Sequence, residues 1–545
     1  PRTLEKAVRA ACARGADALA DLIPEDLRGR EGLPRVGEVV RVFHDPPADL
    51  PRETLAAWNE GRTPGHLRLA LEELFLLEIA LHRRRARERF TQALPLPASS
   101  TAAARAIASL PFPLTGAQER VVAEIAEDLA RPQPMRRLLQ GDVGSGKTAV
   151  AFLVAAQAVA AGAQVAFMVP TELLAEQQIR TFDALGKALG MRVALVVGGA
   201  RAAHRRKLLR GLDAGTIDVA VGTHALLSEG LAFRKLGLVI VDEQHRFGVG
   251  QRLKLSEKGP RETTPHLLVM TATPIPRSLA LAVYGDLDTS VLDERPPGRT
   301  PPVTRSYPAA RREAALRQVE RGVAAGGQAF VVCPAVEDGE ERDLRSAVSV
   351  FAELSERFRD LGVALVHGRQ DFEERQSEMA RFVAGEAKVL VSTTVIEVGV
   401  DVPRANVILI EDAERFGLAQ LHQLRGRVGR GGQRSACLLV TRAREDGDAA
   451  ARLSVLCRTD DGFEIAEEDL QLRGPGEVFG RRQSGLPGFR FADLRRDRPL
   501  LERARALARE LVERDPTLGD PAHAAARRAV ERLEAARALV GEEAG

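Results

Sequence analysis

Two series of short apolar segments, each alternating with stretches of helical character, constrain this chain more than any other feature. The first runs QVAFMVP, RVALVVGG, IDVAVGTH, LGLVIVDE, HLLVMTAT over residues 164–273, and the second runs QAFVVCPA, VALVHGR, KVLVSTT, NVILIED, SACLLV over residues 328–440. Apolar runs of strand length separated by helices imply βαβ units, whose parallel sheets bury both faces. The Pro-rich ERPPGRTPP at residues 294–302 breaks the series and reads as a linker. The expected fold class is α/β, with two parallel-sheet domains in tandem and a cleft between them.

Residues 1–110 are helical in character. Leu67, Ala70, Leu71, Leu74, Leu77 and Leu81 recur at spacings of three and four, leading into the basic run His82, Arg83, Arg84, Arg85, Arg87 and Arg89. This predicts a long connecting helix with a basic end. After residue 450 come mixed helical segments around a glycine-rich stretch, then an Arg/Glu/Ala-rich tail. The expected division is 1–110 helical connecting region, 111–295 first α/β domain, 296–450 second α/β domain, and 451–545 C-terminal helical region.

Length fits this plan, because 545 residues exceed one core and suit about three to four domains. Lys and Arg total 78 against 75 Asp and Glu, a net charge of +3, so overall charge alone does not argue for a polyanionic partner. Cys12, Cys333, Cys437 and Cys457 lack CxxC spacing and read as free thiols. No apolar run approaches the roughly twenty residues of a membrane span. A soluble, cytoplasmic protein with no membrane partner is expected.

The chemistry lies in three motifs. In GDVGSGKT, the residues Gly141, Asp142, Val143, Gly144, Ser145, Gly146, Lys147 and Thr148 follow an apolar run and precede a helical one. Glycines there turn backbone N–H groups toward phosphate oxygens, and the following helix directs its positive end to the same place. Lys147 is expected to reach the β and γ phosphates of ATP, and Thr148 to ligate Mg²⁺. LGLVIVDEQH places Asp242 and Glu243 at the carboxyl end of a buried strand, Asp242 to hold Mg²⁺ and Glu243 to position or deprotonate water. QLRGRVGR supplies Arg427 and Arg430 from the second domain, so they reach the phosphates only across the cleft. The expected catalytic set is Lys147, Asp242, Glu243, Arg427 and Arg430, with metal ligands Thr148 and Asp242. Gln118 in TGAQ is placed to read adenine, although a Gln at a helix start is also an ordinary solvated residue; Phe112 joins the ATP-binding set. TAT at residues 271–273 could couple nucleotide to movement or merely cap a helix.

TGAQ, GDVGSGKT, PTELLAEQ, VGTHAL, DEQHRFGVGQR, TATPIPR, VHGR, STTVIEVGVDVP, GLAQLHQLRGRVGR and DLQLRGPGEVFGRRQSG occur in that order. Together they resemble the RecG family of second-superfamily helicases, bacterial translocases that drive DNA branch migration. The resemblance implies two tandem RecA-like motor domains and a C-terminal translocation motif. It implies ATP and Mg²⁺ as cofactors and branched or duplex DNA as substrate, with branch migration of Holliday junctions, fork reversal and D-loop or R-loop unwinding as the work done. It also implies a monomer, associated with the nucleoid, and a single-stranded DNA-binding protein as partner. Thr171, Thr223, His224, Arg369, Thr393 and Thr394 are implied DNA-backbone contacts, though turn or capping roles suit each equally well. Arg473, Arg481, Arg482 and Gln483 are implied to couple motion to the duplex. The family's N-terminal wedge domain, of OB type, has no counterpart in residues 1–110, so junction specificity is the property left open.

The nearest alternative is the translocase module of the transcription-repair coupling factor Mfd, which shares the segment after the motor. DEQH, PTELLAEQ and ERPPGRTP favour RecG. An RNA helicase would differ in being stimulated by RNA, and an inactive scaffold has no need of the whole catalytic set.

Overall fold

The computed structural model describes residues 2–47, 49–88, 92–198, 202–228, 230–243, 263–271, 287–296, 300–334, 340–393, 402–431, 433–444, 447–473, 489–494 and 496–543. Among them the two apolar series form two parallel sheets. The first sheet has seven strands, β1 (Arg136–Gly141), β2 (Gln164–Met168), β3 (Val193–Val196), β4 (Val219–Gly222), β5 (Leu236–Val241), β6 (His266–Thr271) and β7 (Asp288–Leu292), in the order β3-β4-β2-β5-β6-β1-β7. The second has six, β8 (Val303–Pro308), β9 (Gln328–Val332), β10 (Val363–Val366), β11 (Val389–Ser392), β12 (Ala405–Ile410) and β13 (Ala436–Thr441), in the order β10-β11-β9-β12-β13-β8. Every residue of β2, β4, β5, β6, β9 and β12 is buried, which is why these strands read as unbroken apolar runs.

Strand alternation sorts side chains between layers. In β2, Ala166 and Met168 face one core while Val165 and Phe167 face another. The second of these cores stacks Phe167 and Phe152 against Phe182 with ring centroids 5.2 and 5.6 Å apart, the latter pair edge to face. The other core joins the sheet to the connecting helix Pro64–Glu88, through Leu71, Leu74 and Leu77, and to the C-terminal helices through Leu501, Leu507, Leu511 and Val530. Arg68 on that helix is fully buried, and its charge is met by Asp21 at 2.8 Å, Glu72 at 2.7 Å and the Pro34 carbonyl at 3.2 Å. This satisfies a cation that burial would otherwise make costly, and it ties the N-terminal segments to the connecting helix. No helix among the described residues is long and apolar enough to cross a membrane.

In both parallel sheets the loops after the strands collect at the carboxyl edge. GDVGSGKT follows β1, Asp242 and Glu243 follow β5, and Thr393 follows β11.

Candidate nucleotide site between the two sheets

The phosphate-loop motif turns from β1 into the helix Lys147–Ala160 through backbone that only glycine adopts easily. Gly144 and Gly146 have φ of 76° and 87°. A Cβ on Gly146 would sit 2.1 Å from Gln118 Nε2, and one on Gly141 would sit 2.5 Å from Ser145 Oγ. The loop is thus a cradle that side chains would fill, wrapped on the positive end of a helix, and it fits a phosphate group. Lys147 is 9% exposed and folds back on the loop, donating from Nζ to the carbonyls of Gly141 at 2.8 Å and Asp142 at 2.9 Å. Thr148 lies half-buried one residue further on.

Gln118 is buried, with both ends of its amide engaged. Its Oε1 accepts from Thr115 N at 3.0 Å, and its Nε2 donates to the Ser145 carbonyl at 2.8 Å. In this geometry Gln118 braces the phosphate loop from behind, and it is not the solvated residue that its place at a helix start also allowed. Phe112 is 46% exposed.

Asp242 and Glu243 follow β5 directly. Glu243 has φ of 54°, an uncommon conformation for a non-glycine, and its N–H bonds Asp242 Oδ1 at 3.0 Å. Burial, then the neighbouring Glu243 charge, push the Asp242 carboxyl well above the ordinary carboxylate range, while Lys147 and Arg427 pull it down. Both cations therefore act on the Asp242 carboxylate. Among the described residues no group of three or more His, Cys, Asp or Glu side chains could hold a metal ion. Hard oxygens from Thr148 and Asp242 suit Mg²⁺, which takes one or two protein ligands and completes its shell with phosphate and water.

The second sheet contributes the helix Leu418–Arg425 and the turn after it. Arg427 is 6% exposed, and Arg430 Nε donates to the Gly426 carbonyl at 3.3 Å. Gly426 comes so close to the phosphate loop that a Cβ there would lie 2.5 Å from Val143 Cγ1. His422 Nε2 bonds Asp142 Oδ1, and Arg425 Nη2 bonds His422 Nδ1 at 2.8 Å. Arg295, from the linker, lies 3.6 Å from Asp142 Oδ2. Burial raises the Asp142 pKa, but the His422 hydrogen bond and charge, the Val143 N–H and Lys147 outweigh it and hold the carboxyl at about 2. His422, Arg425 and Arg295 were not among the residues expected from sequence. The one local signal was the i, i+3 spacing that puts His422 and Arg425 on one helix face.

The remaining expected residues scatter along the carboxyl edges. Thr171 caps the helix Glu172–Gly186, accepting from Leu174 N at 3.4 Å. Thr223 and Thr393 are buried at 1% and 7% exposure. His224 opens a short 3₁₀ turn, and Arg369 is exposed beside His367, whose Nδ1 accepts from the Arg369 N–H at 3.3 Å. Arg473 ends the helix Gly462–Arg473, but its side chain lies outside the described residues, as do Thr394, Arg481, Arg482 and Gln483 and the end of TAT.

Three families match successive parts of the chain. They are DEAD/DEAH box helicase at residues 115–281, helicase conserved C-terminal domain at 311–432, and ATP-dependent DNA helicase RecG, domain 3, C-terminal at 459–538. The RecG helicase of Acidithiobacillus ferridurans is 47% identical over 91% of this chain and 72% of its own length. That of Escherichia coli K12 is 47% identical over 92% of this chain and 72% of its own. A solved structure of RecG bound to a three-way DNA junction superposes with a TM-score of 0.70 at 42% identity, covering 91% of this chain and 64% of that one. With two helicase sheets, a phosphate loop facing arginines across a cleft, and identity of this extent, the chain belongs to the RecG family of ATP-dependent DNA helicases.

Proposed function

We propose that this chain hydrolyses ATP with Mg²⁺ to translocate on duplex DNA and drive branch migration, fork reversal and the unwinding of displacement loops. The observation that carries the reading is the contact of the turn holding Arg427 with the loop holding Lys147, with Gly426 packed on Val143. Hydrolysis then needs both sheets, so each cycle couples to a change in their separation.

ATP and Mg²⁺ supply the transferable phosphoryl group and the charge that neutralises it. Lys147 exchanges its two loop carbonyls for phosphate oxygens. Thr148 and Asp242 hold the metal, and Glu243 orients the attacking water. Arg427 and Arg430 stabilise the charge that builds up in transfer, a contribution of about three to five orders of magnitude for an arginine supplied in this way. The division at residues 110, 295 and 450 serves as the domain plan, with the C-terminal region extending over 451–545. On the DNA side, Thr171, Thr223, His224, Arg369, Thr393 and Thr394 track the backbone, and Arg473, Arg481, Arg482 and Gln483 couple it to the motor. Branched DNA as substrate rests on the relative whose structure holds a three-way junction. A monomeric state, nucleoid association and a single-stranded DNA-binding partner complete the proposal. Identity of 47% to RecG helicases over more than nine-tenths of the chain favours this reading over the Mfd-like alternative.

The test is steady-state ATP hydrolysis with no nucleic acid, linear duplex, a four-way junction, or structured RNA. Stimulation by both DNAs is expected, greatest with the junction. Stimulation by RNA alone, or by nothing, would overturn the assignment.

A further inference from the structure

Asp142 is an odd residue to find inside a phosphate cradle. A carboxylate there repels the anion the loop is built to hold, at a distance where screening by water is weak. It is nevertheless ionised, and its oxygens are already in use. Oδ1 accepts from the Val143 N–H at 2.6 Å and from His422, and Oδ2 faces Arg295 at 3.6 Å. The direction of the His422 bond follows from its other side. Arg425 is a permanent donor and gives its Nη2–H to His422 Nδ1, so the imidazole proton sits on Nε2 and points at Asp142. Arg425 is itself 3% exposed and anchored through Nη1 to the carbonyls of Leu456 and Thr459, each at 2.9 Å. A rigid polar chain thus runs from the body of the second half, through Arg425 and His422, into the phosphate loop of the first.

We propose that Asp142 is a positioning residue of the motor: gripped by His422 and Arg295, it docks the phosphate loop on the helix Leu418–Arg425 and so aims Arg427 and Arg430 at the phosphates. This role rests on the proposed ATP-driven motor and replaces the direct ATP contact expected of Asp142 from its place in the motif. The close approach of Gly426 to Val143 is the steric half of the same dock. Asp142 and His422 act through the arginines and touch no reacting atom.

The full chain, with Asp142→Ala, Asp142→Asn, His422→Gln and the double variant Asp142→Ala/His422→Gln, provides the test. DNA-stimulated kcat, KM for ATP and the affinity for a fluorescent ADP analogue are measured for each, with melting temperature as a control. A charge-assisted hydrogen bond of ordinary strength predicts that Asp142→Ala lowers stimulated kcat about tenfold. KM and ADP affinity should stay within about twofold, a change of under ~0.5 kcal/mol. Asp142→Asn keeps an acceptor for His422 and should recover most of the loss. The double variant should be no slower than Asp142→Ala, because both substitutions break one link.

A fall in ADP affinity in step with kcat would make Asp142 a nucleotide ligand and overturn the proposal. So would full additivity in the double variant, or unchanged turnover in Asp142→Ala. His422→Gln guards against a cavity artefact, since it fills the site while losing the ring that bonds Arg425 and Asp142 at once; loss of melting temperature in Asp142→Ala with no kinetic rescue by Asp142→Asn would reduce the contact to a structural one. If the wild-type chain itself shows no stimulation by DNA, the motor reading fails and the positioning role falls with it. A stimulated wild type with an indifferent Asp142 overturns the positioning role alone.

Discussion

The two halves of the motor are built on the same kind of sheet but are held by different means. The first sheet shares one of its faces with the connecting helix Pro64–Glu88 and the helices Arg498–Arg514 and Ala524–Glu543, so that Leu74 and Leu507 belong to the same core as Val239 of β5. The second sheet is served by its own surroundings, with Leu453 and Ile465 of the helices Asp448–Arg458 and Gly462–Arg473 packed on one face. Within residues 451–545 the helix Asp448–Arg458 packs on the second half and the last two helices on the first, while the helix Gly462–Arg473 touches both, with Ile465 in the second core and Leu470 in the first. Within the first half the join is apolar and extensive. Between the halves, at the nucleotide site, the described contacts include the His422–Asp142 bond, Gly426 packed on Val143, and Arg295 of the linker set between Asp142 and the Asp460 carbonyl. Polar contacts of that kind are remade at little cost, whereas a shared core is not, so the cleft is where the chain can open.

The most severe way to break this comparison is to remove one side of the cleft chemistry at a time. Lys147→Ala on the first half should abolish ATP turnover while duplex DNA binding, measured by anisotropy, is retained. Arg427→Ala on the second should lower turnover by about three orders of magnitude or more. Wild-type hydrolysis in Arg427→Ala would mean that the second half supplies no charge to the reaction and that the cleft contact is incidental.

Core truncations sharpen the contrast at a smaller scale. Leu74→Ala and Leu409→Ala each remove a fully buried side chain and should each cost about 2–5 kcal/mol. Their hydrogen-exchange footprints should differ. Leu74→Ala should loosen the connecting helix, the helix Arg498–Arg514 and the first sheet together, and Leu409→Ala the second sheet alone. One common footprint for both would show that the halves share a single cooperative unit.

Sequence alone reveals what is local. The fully buried strands were legible because both faces are apolar, and the phosphate loop because its glycines, lysine and threonine are contiguous. The edge strands β7, DTSVL, and β8, VTRSYP, were not, since half or more of their residues are partly or wholly exposed and carry no apolar run. Long-range polar pairings were also out of reach. His422 and Asp142 stand 280 residues apart, and Arg68 meets Asp21 across 47. Nothing in either neighbourhood names its partner. Gln118 shows the same limit from the other side, since TGAQ marked it as interesting but only packing reveals that its amide holds Thr115 and Ser145.

Gly426→Ala tests the steric part of the cleft. Its new methyl would press on Val143, and an overpacked contact of this sort costs about 1–3 kcal/mol, so DNA-stimulated turnover should fall about tenfold. Because the strain falls between the halves and not inside either core, the melting temperature should hold. Val143→Gly in the same chain removes the opposing side chain and should restore part of the rate; no recovery would place the defect elsewhere in the turn.

The smallest effects should come from the outer surface of the first half, where ion pairs link N-terminal residues to the helix Arg498–Arg514. Arg30 meets Glu510 at 2.6 Å and Arg514 meets Asp26 at 2.8 Å. For Glu510 the Arg30 hydrogen bond leads in lowering its pKa from 4.5, and for Asp26 burial works upward but is outweighed by Arg514, leaving it below 3.8. A depressed carboxyl pKa contributes stability above its ordinary value and loses it as pH falls, so these pairs should help evenly above about pH 5 and fade only below about pH 4. Being exposed, they are also screened by salt. Glu510→Gln should therefore leave the melting temperature at pH 7.5 within measurement error. A clear drop, abolished by high salt, would mean that charge rather than the shared apolar core fastens the C-terminal helices to the first half, and the contrast between the two halves would need a different cause.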